Sequence, residues 1–241
     1  MVIKKIADMY FSQKALSTYE HCPLKFKYRY LDELYWPQKE SDREIALERG
    51  RLFHLLACRY YSGNKVDGEK VNDEKLKTWI QRLKSFCSIE RNGNFSPEYE
   101  LRLNKKIKGE RLKLVARFDL IHIYSKGNEL VIYDWKTGNK SLQKNRLHNN
   151  YQTSIYLFIV YLAGNSYFSD LNLNPSDIKL IYWNPRFPEQ KCEIYYNHHR
   201  YEKDRSLLIN KIEEIKNMKK EDFVSPPGVD CKYCEYRQIC G

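Results

Sequence analysis

The chain has 241 residues, 42% of them hydrophobic, enough to bury a core as one elaborated domain. Its 42 Lys and Arg against 31 Asp and Glu leave a formal charge of +11 at pH 7, a balance that favours a polyanionic partner because neutralising phosphates releases counterions. Met1 to Phe11 lack the apolar run of a signal peptide, no stretch approaches the roughly 20 apolar residues of a membrane span, and no G-x-x-x-x-G-K-S/T phosphate loop occurs, so a soluble cytoplasmic protein without membrane association is expected and an ATP-driven helicase is not.

Near the N-terminus, Ser17 and Glu20 have the S-x-x-E spacing of a capping box and predict a short helix starting there. Pro23 can open a second helix with Phe26 and Tyr30 on one face; Cys22 sits at the junction, where a buried helical thiol is the simplest reading. Glu40 to Tyr61 is a long helical pattern with an apolar stripe of Ile45, Phe53, Leu56, Ala57 and Tyr60, ending at Ser62-Gly63. Gly50 and His54 share a face one turn apart. A mid-helix Gly costs about 1 kcal/mol relative to Ala, so something is expected to approach the helix there. That space suits a metal or a phosphate beside His54, although a lone helical His is also an ordinary surface or core residue. Val71 to Glu90 is a further amphipathic helix, with Leu76, Ile80, Leu83 and Phe86 inward.

After a loop over residues 92–97, three strands are predicted, Tyr99 to Ile107, Leu112 to Ile123 and Glu129 to Trp135. Turn signals at Lys108-Gly109 and Lys126-Gly127-Asn128 join them into an antiparallel meander. Asp119 interrupts the apolar run A-R-F-D-L-I, and a carboxylate there is costly unless paired or coordinated. Glu100 of the first strand can approach the same place. The third strand ends in V-I-Y-D-W-K-T-G, whose alternation puts Asp134 and Lys136 on one side of the sheet. The pair is either a structural ion pair at a sheet edge or a metal ligand beside a cation that handles a water or a phosphate. Tyr151 to Ala163 reads as a helix with Gln152 and Tyr156 on adjacent turns, which would also suit the polar edge of a packed helix. Ile178 to Trp183 and Cys192 to Tyr196 add two strands, with Asn184-Pro185 as breaker and Arg186 to Gln190 as turn; a last helix runs from about Tyr201 to Met218.

Seven cysteines, an odd number, argue against a disulfide framework in a chain with no export signal. Cys58, Cys87 and Cys192 are scattered as buried, inert thiols would be, whereas Cys231, Cys234 and Cys240 cluster in the tail.

A His four residues after a Gly on a helix, an Asp in an apolar strand, D-x-K on the next strand and Q-x-x-x-Y on the following helix resemble, in order and content, the RecB-like branch of the PD-(D/E)XK nuclease superfamily. With Cys22 and the C-x-x-C-x-x-x-x-x-C run from Cys231, the stretch Ser17 to Cys240 is similar to the iron-sulfur members of that branch, the AddB-type nuclease domains and the CRISPR-associated RecB-like exonucleases. The resemblance implies an α/β fold: a central mixed sheet of about five strands flanked by helices, a restriction-endonuclease-like core, with the N- and C-terminal segments joined by a four-cysteine cluster. It implies one domain over residues 1–241, with a helical part at 1–90, a nuclease core at 97–196 and a helix and cysteine tail at 197–241. The implied activity is a Mg- or Mn-dependent DNA exonuclease acting from single-stranded ends, in DNA repair or CRISPR spacer acquisition.

Carried over residue by residue, the resemblance makes Asp119 and Asp134 carboxylate ligands of the metal and His54 a further ligand, with the backbone carbonyl of Trp135 completing the set. Lys136 would position or activate the attacking water and steady the phosphate charge, with Gln152 and Tyr156 supporting the site or the strand. Cys22, Cys231, Cys234 and Cys240 would hold a 4Fe-4S cluster, although four thiolates hold zinc as well. Asp134 stands where many relatives have Glu, which can change metal preference. The residue types suit the chemistry on their own terms: phosphodiester hydrolysis needs charge neutralised at phosphate and a nucleophile made from water, and hard oxygen ligands with one His suit Mg or Mn. Two rivals are a trimming subunit that depends on CRISPR adaptation or recombination-repair partners, and a non-catalytic nucleic-acid-binding module stabilised by an iron-sulfur cluster. The second would be expected to lack a ligand or the lysine, yet Asp119, Asp134 and Lys136 are all present.

Overall fold

A computed structural model describes residues 6–34, 43–66, 71–90, 92–124, 128–168, 171–232 and 234–240, with the side chains of 43–46 left out. The predicted helix residues 40–42, the Ile45 side chain and the turn at 126–127 lie outside the described residues. Helix α1 spans Gln13–His21, α2 Pro23–Phe26, α3 Arg43–Tyr61, α4 Glu74–Phe86, α5 Lys144–His148, α6 Tyr151–Tyr167 and α7 His198–Asn217. The strands are β1 Asn94–Ile107, β2 Glu110–Ile123, β3 Leu130–Trp135, β4 Ile178–Trp183 and β5 Lys191–Tyr195.

The five strands form one sheet in the order β1-β2-β3-β4-β5, antiparallel except for the parallel pair β3 and β4. A parallel pair requires a crossover, here α5 and α6, and leaves the C-terminal ends of β3 and β4 side by side, the position where open α/β sheets form their clefts. One face of the sheet carries a core built from α1, α2, α6 and α7, with Leu16, Phe26, Phe158 and Ile212 all at 0% exposure. The other face packs α3 and α4 through Phe53, Ala57, Trp79 and Leu83. The expected mixed sheet flanked by helices is therefore present.

Some boundaries differ from the sequence reading. Helix α1 is capped by Ser12, whose hydroxyl accepts from the Ala15 N–H at 3.2 Å, and not by Ser17. Ala15 and Leu16 already belong to the buried face, so packing carries the helix upstream of the capping-box pattern. Cys22 caps α2 and Pro23 occupies its first turn, as read. The stretch 92–97 is not all loop: β1 begins at Asn94, and Pro97 is accommodated because β1 is an edge strand. Among the described residues, no helix is long and apolar enough to cross a membrane.

Candidate active site

Sheet register assembles the site. Lys108 and Gly109, both at positive φ (50° and 92°), form the two-residue turn that pairs Ile107 with Glu110. Counting back along that ladder, the pairs Tyr99 with Phe118 and Pro97 with Leu120 put Glu98 across from Asp119. Leu120 pairs with Tyr133, which sets Asp119 beside Asp134, and Asp134 pairs with Tyr182. Three carboxylates on three adjacent strands thus occupy one row, an arrangement that like-charge repulsion disfavours unless a cation offsets it.

At this row the strands also change phase. Leu112, Leu114, Ala116 and Phe118 face the first core, but Leu120 faces the second; along β1, Leu103, Leu101 and Tyr99 pack on the first core and Phe95 on the second. Glu98 takes up the change with φ 48°, a left-handed conformation that costs a non-glycine residue about 1–2 kcal/mol. The break lets side chains from both helical layers reach one place. His54 of α3 arrives from one side, its Nδ1 3.1 Å from Asp119 Oδ1. Gln152 and Tyr156 of α6 arrive from the other.

A ring of two hydrogen bonds closed by one ion pair fixes the centre. Lys136 Nζ contacts Asp134 Oδ1 at 2.5 Å and donates to Gln152 Oε1 at 2.8 Å, while Gln152 Nε2 donates to Asp134 Oδ2 at 2.5 Å. Gln152 Nε2 also reaches the Tyr156 hydroxyl at 3.1 Å, and that hydroxyl donates to the Arg117 carbonyl at 2.6 Å. The Lys136 ammonium lies 5.0 Å from the Tyr182 ring centroid. Asp119 is fixed by the Trp135 N–H, which donates to its Oδ2 at 2.6 Å.

Burial sets the charge states here. Asp134 is 3% exposed, and burial with the neighbouring Asp119 charge raises its pKa to about 6 against the lowering pull of Lys136. Burial lowers the His54 pKa, but the Asp119 hydrogen bond and the charges of Asp119, Asp134 and Glu98 outweigh it and leave a net rise. Burial and the two aspartates keep Tyr156 protonated.

The structure therefore brings together His54, Asp119, Asp134, Lys136, Gln152 and Tyr156, and adds a residue that sequence reasoning missed. The ligand atoms of His54, Glu98 and Asp119 lie within 4.8 Å of one another, a donor set able to hold a metal ion. Both Asp134 oxygens contact Lys136 or Gln152, and Glu98, itself paired with Arg117 at 2.7 Å, joins His54 and Asp119 in the group. Trp135 meets the site through its N–H, and its side chain is buried in the second core. Glu100 is not part of the group: it pairs with Arg102 at 2.9 Å, on the exposed side of β1. The two-residue Lys108-Gly109 turn was the signal that could have singled out Glu98.

Two further readings, those of Gly50 and Cys58, are corrected. The space at Gly50 is filled by Thr137, whose Oγ1 would lie 2.7 Å from an added Cβ, so the glycine admits the chain after D-x-K and not a metal or a phosphate. Cys58 is half-buried in the cleft wall, whereas Cys87 and Cys192 are buried as expected. The four tail-frame cysteines form no group of three thiols within 4.8 Å among the described residues. Cys22, Cys231 and Cys234 nevertheless line one cavity of about 190 Å³, and the Cys240 thiol is pushed up by burial and then by the other three sulfurs.

The row opens into a cleft of about 1130 Å³ whose walls include Leu47, Arg51, Leu55, Arg117, Thr137 and Arg186. The fold and the sequence both have known counterparts. A crystal structure described as that of SSO0001 is 17% identical, covering 99% of this chain and 93% of that chain, with a TM-score of 0.47. A Eubacterium rectale structure described as "Putative exonuclease" is 10% identical, covering 96% of this chain and 86% of that one, with a TM-score of 0.53, a likeness of fold. No curated protein matches the sequence. Residues 10–87 and 87–241 match the PD-(D/E)XK nuclease superfamily. The D-x-K motif of Asp134 and Lys136 ends a central strand beside Asp119 of the neighbouring one, and with that match the chain belongs to the PD-(D/E)XK nuclease superfamily.

Proposed function

We propose that this chain is a metal-dependent deoxyribonuclease of the RecB-like branch, a single domain that hydrolyses phosphodiester bonds from single-stranded DNA ends in the cytoplasm. The observation that carries the reading is Lys136 held by Asp134 and Gln152 beside the Asp119 and His54 pair. The donor set suits Mg or Mn: hard carboxylates face one another in register, with one imidazole. His54, Asp119 and Glu98, with Asp134 and the Trp135 carbonyl as further ligands, would hold the ion. When bound, it supplies Lewis-acid neutralisation at the phosphate and activation of water.

The protein's own groups do the positioning. Gln152 and Asp134 take two of the Lys136 N–H bonds and leave the third for the phosphate or the attacking water. Tyr156, protonated and anchored on the Arg117 carbonyl, fixes the Gln152 amide so that its oxygen faces Lys136 and its nitrogen faces Asp134. The exposed Leu47 and Leu55 on α3 give the cleft an apolar wall, which unstacked bases can cover and a duplex cannot. End dependence and a role in repair or CRISPR spacer acquisition, with the protein partners these entail, rest on the sequence resemblance. The exonuclease description of the Eubacterium rectale protein accords with the first.

The same resemblance assigns Cys22, Cys231, Cys234 and Cys240 to a 4Fe-4S cluster, with zinc as the alternative. The cavity shared by Cys22, Cys231 and Cys234, and the upward push that these three add to burial at the Cys240 thiol, support a common ligand there. Anaerobic purification followed by iron, sulfide and zinc analysis separates the two metals.

The activity test uses end-labelled linear and closed circular single-stranded DNA with Mg or Mn, alongside Lys136→Ala. Loss of linear DNA alone, abolished by the substitution and by chelator, is the expected outcome. Cutting of the circle would make the protein an endonuclease. Binding of both substrates without cutting of either would overturn the catalytic reading.

A further inference from the structure

Arg186 stands out among the cleft arginines. Arg117 is committed to Glu98 at 2.7 Å and Arg51 reaches Glu48 at 3.5 Å, whereas Arg186 forms no salt bridge among the described residues. It is nevertheless firmly held. Its guanidinium carbon lies 4.7 Å from the Trp79 ring centroid, its Nε donates to the Thr137 carbonyl at 3.0 Å, and its backbone N–H donates to Asn184 Oδ1 at 2.9 Å. Asn184 is fully buried, and its Nδ2 donates to the Gly138 carbonyl at 2.9 Å. One buried amide therefore ties the loop after β4 to the segment that follows Lys136.

A stacked, singly hydrogen-bonded arginine keeps the two Nη groups of its fork available, and such a fork matches the oxygens of a phosphate. Arg186 also lines the same cleft as His54 and Asp119. Its charge is prearranged before any ligand arrives, so little side-chain entropy is lost on binding.

We propose that Arg186 is a preset phosphate clamp: it holds a backbone phosphate of the nucleic-acid strand next to the one at Lys136 and so sets how far the strand is advanced in the cleft. This rests on the nuclease reading above, since the strand is taken to be the substrate. Arg186 acts as a positioning residue, and its loss is expected to raise KM more than it lowers kcat.

The test measures binding of a fluorescein-labelled single-stranded oligonucleotide with Mg across a salt series, in a Lys136→Ala background so that nothing is cut. Arg186→Ala should weaken binding about tenfold, the order of one charge-assisted contact, and reduce the salt slope by about one. Arg186→Lys keeps the charge but not the fork, and should recover only part of the loss. A second measurement reads which phosphate is held and not only how tightly the strand binds. In a set of oligonucleotides each carrying one neutral methylphosphonate, the replacement at one position should weaken binding about tenfold when Arg186 is present. The same replacement should leave binding to the Arg186→Ala variant unchanged. Unchanged affinity and slope in Arg186→Ala, or no position-specific loss in the methylphosphonate set, would overturn the clamp. If the parent binds no oligonucleotide at all, the nuclease reading itself fails, which is a different result.

Discussion

The carboxylate row and the cysteine tail are both places where distant parts of the chain meet, and they are held in different ways. In the row, Glu98, Asp119 and Asp134 come from hydrogen-bonded neighbouring strands, so sheet register alone fixes their spacing. The ring of Asp134, Lys136 and Gln152 then satisfies the buried charge. After the short 3-10 helix Lys220–Asp222 the described residues of the tail form turns and irregular chain, and the tail docks through a few contacts. Lys25 and Arg29 reach Glu235 at 2.6 and 2.9 Å, the Tyr236 hydroxyl donates to the Leu34 carbonyl at 2.6 Å, and Phe223 stacks on Phe26. The row is organised before any ligand arrives, so its ligand is needed for chemistry. The tail leaves its thiols converging without contact, so a ligand there would contribute directly to folding stability.

The largest effect expected separates chemistry from stability at the row. Asp134→Asn should lower cleavage by at least about 100-fold, the scale of losing a preorganised electrostatic group, while the melting temperature stays the same or rises. Burial raises the Asp134 pKa to about 6, so its ionised form costs folding free energy at neutral pH that a neutral amide avoids. A melting temperature several degrees lower would show that the row is a structural ion pair.

Cys231→Ser is expected to do the reverse. The tail should lose its metal and the protein should melt at lower temperature, while the upward shift in melting temperature caused by Mn at the row persists. Unchanged melting and metal content would remove the clamp between chain ends.

A smaller effect is expected where α3 touches the segment after D-x-K. Gly50→Ala places a Cβ against Thr137 Oγ1, an overpacking cost of about 1–3 kcal/mol, offset by about 1 kcal/mol of helix propensity. Denaturant unfolding of Gly50→Ala, Thr137→Ala and the double variant should reveal coupling, with the double variant more stable than Gly50→Ala alone.

The smallest effect concerns tail docking and acid. Burial raises the Glu235 pKa, but the Lys25 hydrogen bond and the charges of Lys25 and Arg29 outweigh it and hold the carboxyl below its usual value. A depressed folded-state pKa contributes stability that is present above the unfolded value of about 4.3 and is lost as pH falls through the folded one. Melting followed from about pH 6 down to about pH 3, a range that brackets that unfolded value, should show a component that Glu235→Gln removes.

Much of this molecule can be read locally. The β4 strand spans the predicted Ile178–Trp183, Pro23 opens its helix, and Asp134 and Lys136 share a side because alternation along a strand is a local property. The order of His54, Asp119, D-x-K, Gln152 and Tyr156 likewise needed only sequence, because each residue's type and the element carrying it are local facts.

Tertiary structure decided what opposes what. Glu98 joined the site and Glu100 did not, because pairing register selects between residues that alternation treats alike. The phase change at Glu98 and Asp119 is invisible to a hydrophobic pattern, which reports that a residue is buried but not which of two cores buries it. Gly50 met Thr137, and Arg186 met Trp79 and Thr137, between elements far apart in the chain, contacts set by packing and not by propensity.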